Sequence, residues 1–328
     1  MRLVPSRPRR CSTSGSLRLS FSRWVTHLAG GAGHRATICP IRGPSVQSAV
    51  PDVVAKGGRR ARAHTIAGAG EVNAPYGELV VRRREGHVLL VAMARADKRN
   101  AIDRAMADAL DEALNELDDD KGLWVGVLTG TREVFSAGSD LTSGGDYVTA
   151  RGGEYGIIRR DRRKPLIAAV EGPALGGGLE IVLACDLVVA SMSATFGLPE
   201  VTIGVIPTCA GLFRAPRALP LNMAKQLILT GRPIDAPRAY EVGLVNALAE
   251  PGTALEEGLG LARQICENAP VSVQECLAAV NGVVATDDDV GWEMTDRALA
   301  AVMESEDARE GVRAFLEKRP PVWRGRQG

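Results

Sequence analysis

A chain of 328 residues with 45% hydrophobic and 24% charged content can bury a large core, and no apolar run approaches the roughly 18 residues of a membrane span. The net charge of +1 hides an asymmetry: residues 1–70 hold twelve Lys or Arg against one acid, Asp52, for a net +11, which leaves −10 for residues 71–328. An acidic body argues against a nucleic-acid surface, and six cysteines with no CxxC pair argue against a metal site and for a reduced, cytoplasmic setting.

Residues 1–74 are rich in Arg, Ser, Gly and Pro, without a helical or strand period, and predict a disordered extension. Six Lys against 34 Arg suggest a GC-rich bacterial genome and a mis-assigned start. The competing reading is an Arg- and Ser-rich organelle leader, which would place the protein in an organelle matrix. The mis-assigned start is preferred, and either way the stretch stands outside the fold. Three of the four histidines lie in it. His87 reads as a half-exposed strand residue, so a Ser-His-Asp mechanism lacks its base.

The pattern changes at Gly77. Gly77–Arg84 and His87–Ala94 predict two strands joined by a tight turn at Glu85-Gly86. Asp103 predicts an N-cap before an amphipathic helix over 104–119. Leu123–Thr129, Pro165–Glu171 and Asp186–Ala190 are further strands, and Gly177–Leu183 is a helix between the last two. Apolar strands alternating with helices predict an α/β fold with a parallel-rich sheet. After residue 208 nearly everything reads as helix, apart from a short piece near Leu244–Asn246. The body therefore divides into an α/β core over 75–262 and a helical C-terminal region over 263–328.

Three segments carry candidate chemistry: Val134-Phe-Ser-Ala-Gly-Ser-Asp-Leu141, Glu171-Gly-Pro-Ala-Leu-Gly-Gly-Gly-Leu-Glu180, and Phe196-Gly-Leu-Pro-Glu-Val-Thr-Ile-Gly-Val-Ile-Pro207. Gly138 allows a tight turn. Glycines at a helix start either expose unpaired N–H groups or permit close helix–strand packing, and both readings stand. They are not a phosphate loop, because the Lys and Ser/Thr that should follow are missing. Glu180 suits a first helical turn without any function, and Glu200 could be an ordinary turn carboxylate.

Taken in order, FSAGxDL, EGPALGGGxE and FGLPEVxxGxIP resemble the crotonase (enoyl-CoA hydratase/isomerase) superfamily. Asp97-Lys-Arg-Asn-Ala101, Leu229–Asn246 and the tail over Ser305–Gly325 agree with it, and the tail is similar to carnitinyl-CoA dehydratases within that superfamily. The resemblance implies a spiral of ββα units with a helical C-terminal trimerisation region, and a homotrimer or dimer of trimers. It implies an oxyanion hole built from the backbone N–H groups of Ser139 and Gly177, holding the thioester oxygen of an acyl-CoA. Glu180 would activate water and Glu200 would protonate the α-carbon. Lys98, Ala101, Ala137, Asp140, Leu141, Gly176, Pro199 and Lys318 are the implied substrate contacts. For Lys98 and Lys318, solvated surface charge is an equally open reading. No metal or separate cofactor is implied, since CoA arrives as part of the substrate.

The implied activity is hydration of a trans-2-enoyl-CoA. Carnitinyl-CoA dehydration, enoyl-CoA isomerisation and non-catalytic acyl-CoA binding are the alternatives. One departure bears on all of them: Thr208-Cys209-Ala210-Gly211 stands where hydratases commonly read GxGG. The side chains there are expected to narrow the acyl pocket or move Glu200, with Cys209 a packing residue. The loop Thr142–Arg160 is expected to cover the acyl chain.

Overall fold

The computed structural model describes residues 65–66, 72–73, 78–145 and 147–324. The expected extension over 1–74 lies outside the described residues, apart from the antiparallel pair Thr65–Ile66 and Val72–Asn73. Strands β1 (Val80–Glu85) and β2 (Val88–Met93) form the predicted hairpin. Its turn is Gly86-His87, one residue later than expected, because Glu85 still pairs with Val88 and Gly86 takes φ 60°. His87 is thus an exposed turn residue. Its ring stacks on Trp124 at 3.6 Å, and its Nδ1 lies 2.8 Å from the Gly122 carbonyl.

Helix α1 (Arg104–Asp119) starts where predicted, with the Asp103 carboxylate accepting the Met106 N–H at 2.9 Å. Met106, Leu110, Leu114 and Leu117 recur at helical spacing and are all fully buried. Then follow β3 (Val125–Thr129), β4 (Leu166–Val170), β5 (Ala174–Leu175), α2 (Gly177–Leu183), β6 (Leu187–Ser191) and β7 (Thr195–Gly197). Helices α3 (Gly211–Ala218) and α4 (Leu221–Thr230), strand β8 (Ile234–Asp235), helix α5 (Ala236–Glu241), strand β9 (Ala247–Ala249) and helix α6 (Ala254–Cys266) complete the core. The C-terminal helices are α7 (Pro270–Val284), α8 (Asp288–Met303) and α9 (Glu306–Leu316). None of the described helices is long and apolar enough to cross a membrane.

The large sheet has the order β9-β6-β4-β3-β2-β1, parallel except for the antiparallel edge strand β1. A smaller sheet has the order β8-β7-β5. The chain therefore spirals. A strand of the large sheet is followed by one of the small sheet and then by a helix, as in β4–β5–α2. Alternating residues of β2 serve two cores: Leu89, Val91 and Met93 pack with α1, while Val88, Leu90 and Ala92 share a cluster with Leu255, Leu259 and Ala262 of α6. Burial on both faces explains why these strands read as unbroken apolar runs.

The last strand is Ala247–Ala249 rather than Leu244–Asn246. Leu244 and Val245 tie back to the Ala239 carbonyl, and Asn246 uses both its backbone and its side chain on Val188. The expected boundary at residue 262 falls inside α6, which packs on the large sheet through Gly258 and Leu259.

Candidate active site

The first motif leaves β3 and bends at Gly138, where φ is 87°. A Cβ on Gly138 would lie 2.7 Å from the Gly177 nitrogen, so glycine lets this turn rest against the start of α2. The bend is held from inside. Ser136 Oγ donates to the Asn100 carbonyl at 2.8 Å and accepts the Gly138 N–H at 3.1 Å. Asn100, fully buried, donates from Nδ2 to the Phe135 carbonyl at 2.9 Å. On the far side the Gly138 carbonyl accepts Ile102 N–H, and the Ile102 carbonyl accepts Asp140 N–H, each at 2.8 Å. This bracketing skips Ser139. Its N–H has no partner among the described residues, and neither does the N–H of Gly177 at the first position of α2.

The glycines of the second motif serve both readings left open by the sequence. Gly178 packs directly on the Ser136 carbonyl, which a Cβ would overlap. Gly176 takes φ 56°, and a Cβ there would lie 3.1 Å from Glu200 Oε1. Two unpaired amides and a carboxylate thus meet at one place.

Glu180 lies one turn into α2 and is 2% exposed. Its Oε1 accepts the N–H groups of Cys209 at 2.7 Å and Gly211 at 2.9 Å. Burial pushes its carboxyl up to about 7, against the lowering effect of those two hydrogen bonds. Glu200 opens the short helical turn Glu200–Ile203 after Pro199. Its Oε2 is shut from solvent with no hydrogen-bond partner, although the residue as a whole is half-buried. Burial first, and the charge of Glu180 second, raise this carboxyl well above the usual range. Helix α9 braces the turn from behind, with Gly311 pressed on the Ile203 carbonyl.

The loop over residues 142–160, expected to cover the acyl chain, is anchored on α1. Arg160 donates to Asn115 Oδ1 at 2.8 Å and Asp118 Oδ2 at 2.9 Å there. Two tyrosines from this loop, missed by sequence reasoning, reach the site. The Tyr155 hydroxyl lies 2.7 Å from Ser139 Oγ, and its ring is 4.7 Å from that of Tyr147. Tyr155 and Gly156 both take positive φ, a backbone choice that a tyrosine in the sequence does not signal. Asn100 and Ser136 also went unnoticed, because their roles depend on contacts some 35 residues apart.

The remaining expected contacts divide. Ala101, Ala137 and Leu141 flank the Ser139 bend, with the Ala137 N–H donating to the Arg99 carbonyl at 3.0 Å. Lys98 ends the half-buried turn Ala96–Lys98 just before them. The Asp140 carboxylate is used on the loop itself, accepting Thr142 Oγ1 at 2.6 Å and pairing with Arg95 at 3.2 Å. Lys318 is exposed beyond α9, and nothing among the described residues joins it to the cluster. Cys209 is fully buried, as a packing residue would be.

Residues 83–326 match the Enoyl-CoA hydratase/isomerase family. A putative enoyl-CoA hydratase of Thermus thermophilus is 40% identical over 256 residues, which cover 74% of this chain and 99% of the relative. A short-chain-enoyl-CoA hydratase of Clostridium acetobutylicum is 36% identical over 73% of this chain and 95% of its own length. Among solved structures, a carnitinyl-CoA hydratase from Mycobacterium avium superposes with a TM-score of 0.72 at 41% identity, covering 76% of this chain and 99% of that one.

Proposed function

The chain belongs to the enoyl-CoA hydratase/isomerase family, and from that premise we propose that Glu180, Glu200 and the amides of Ser139 and Gly177 carry out the hydration of a trans-2-enoyl-CoA to a 3-hydroxyacyl-CoA. The observation that carries the assignment is the meeting of two buried, differently held carboxyls with two unpaired amides.

The thioester oxygen accepts from Ser139 N–H and Gly177 N–H. Preorganised donors in a site shielded from water stabilise the negative charge that develops there, about 3 kcal/mol for one such donor. That polarisation makes the β-carbon electrophilic. Glu180, with its carboxyl near 7, takes a proton from water as the oxygen bonds to the β-carbon. Glu200, whose carboxyl burial and the charge of Glu180 raise well above the usual range, gives its proton to the α-carbon as the enolate collapses. Water is thereby added across the double bond, and one proton has passed from Glu200 to product while another has reached Glu180. The reverse sequence dehydrates a 3-hydroxyacyl-CoA with the same groups. The likeness to a carnitinyl-CoA hydratase supports that reading as a second use of the site.

A homotrimer or dimer of trimers is proposed with this function. Val271, Val280, Val283 and Val284 on α7, and Val290 and Met294 on α8, leave an apolar surface exposed in the single chain, which supports an assembly through these helices. A cytoplasmic setting goes with it, supported by free Cys185, Cys209, Cys266 and Cys276. The test of function is loss of the enoyl-thioester absorbance of crotonyl-CoA on adding enzyme. Equal rates for wild type and Glu180→Gln would sink the mechanism.

A further inference from the structure

Tyr155 is 2% exposed and stands beside both amides proposed to hold the thioester oxygen. Its hydroxyl pairs with Ser139 Oγ at 2.7 Å, beside one proposed oxyanion amide. Its ring lies over Gly177, the other: a Cβ there would be 2.7 Å from Tyr155 Cζ. The Cys209 thiol is among the groups that act on that hydroxyl, and the Cys209 backbone N–H holds Glu180. Tyr147 backs the Tyr155 ring at 4.7 Å.

We infer that Tyr155 sets the acyl-chain limit, so that the site takes short enoyl groups such as crotonyl and rejects medium-length saturated tails. This rests on Ser139 and Gly177 holding the thioester. On that reading the Tyr155 ring, packed beside both amides, is what an acyl chain meets as it leaves the thioester. A longer tail must displace that ring, break its pairing with Ser139 and leave buried hydroxyls without partners. A short group leaves the cluster intact. Cys209, fully buried in the Thr208–Gly211 turn, packs on the same side of the site.

Tyr155 has φ 55°, which glycine adopts without strain, so Tyr155→Gly removes the ring and keeps the local backbone conformation. The experiment compares kcat/KM for crotonyl-CoA and trans-2-octenoyl-CoA in wild type, Tyr155→Gly and Tyr155→Phe, all as full chains. Wild type should favour crotonyl-CoA by at least about tenfold, the scale on which hydrophobic pockets discriminate by size. Tyr155→Gly should narrow that ratio about tenfold or more, whereas Tyr155→Phe, which keeps the ring, should retain most of it. A ratio unchanged in Tyr155→Gly, with crotonyl-CoA still turned over, overturns the inference. So does a wild type indifferent to chain length. Should the glycine variant not fold, binding of butyryl-CoA against octanoyl-CoA to wild type decides, and tighter octanoyl-CoA binding overturns it. The same binding comparison reads the limit if wild type hydrates neither substrate, a result that would count against the hydratase reading alone.

Discussion

Cys209 and Glu180 meet through the backbone: the Cys209 N–H donates to Glu180 Oε1 at 2.7 Å, and Gly211 adds a second donor. The segment 208–211 is where the sequence departs from the family's glycines. Because amides hold the carboxylate, the departure leaves the grip on Glu180 intact. Its cost falls elsewhere, on Ala210, which takes φ 75° at the start of α3. An L-residue in that region is disfavoured by about 1–2 kcal/mol.

Glu180→Gln keeps a carbonyl oxygen for the same two donors but cannot take up a proton. We expect kcat for crotonyl-CoA to fall by about 10²–10⁴, with the fold retained. Turnover within twofold of wild type in a folded variant would remove Glu180 from the chemistry.

The raised carboxyl of Glu180 also couples activity and stability to pH. As the base, it must be ionised, so kcat/KM should rise with pH through about 7. Stability runs the other way. In the fold this group holds its proton up to about 7, and unfolded it releases it near 4.5, so its contribution is full below 4.5 and is lost as pH rises to about 7. Glu180→Gln should therefore gain on wild type between pH 5 and 8, by at most on the order of 3 kcal/mol. Urea midpoints at the two pH values measure this, and parallel shifts in both proteins would contradict it.

Gly138→Ala places a methyl 2.7 Å from the Gly177 nitrogen at a φ that only glycine adopts easily. The two amides must separate, and we expect a loss of about 10²–10³ in kcat, comparable with losing one oxyanion donor. Steady-state kinetics at saturating crotonyl-CoA would reveal a tolerated substitution, which would mean that the bend is not built around these amides.

Ser136→Ala deletes the hydroxyl that links the Asn100 carbonyl to the Gly138 N–H. Thermal melts should show a loss of about 0.5–1.5 kcal/mol. If the hydroxyl positions the Ser139 amide, kcat should fall while KM stays close to wild type. A purely structural role would lower stability and leave kcat unchanged.

Deletion of residues 1–74 should leave a folded, active hydratase, because the family match spans residues 83–326 and the Thermus thermophilus relative aligns over 99% of its own length with 74% of this chain. The assay is crotonyl-CoA hydration by the truncated protein. An insoluble or inactive product would assign those residues a part in the fold.

Local physics made much of the core legible in advance. The Asp103 cap, the α1 stripe and the apolar strands each follow from their own residues, with errors of one to three residues at turns and strand ends. Those errors arise where tertiary hydrogen bonds choose among equal local options, as when Asn246 turns to Val188 instead of starting a strand.

The sequence by itself determined the succession of strands and helices and the two glutamates, because periodicity, capping and motif order are written in neighbouring residues. Only the tertiary structure decided what surrounds those glutamates. Glu180 and its donors are separated by some 30 residues, Asn100 and Ser136 by 36, and Tyr155 from Ser139 by 16. Contacts of that kind come from the closing of the spiral, which brings the loop over residues 142–160 and the Thr208–Gly211 turn onto the start of α2. The shifted carboxyls are products of burial, and burial exists only once the chain has folded.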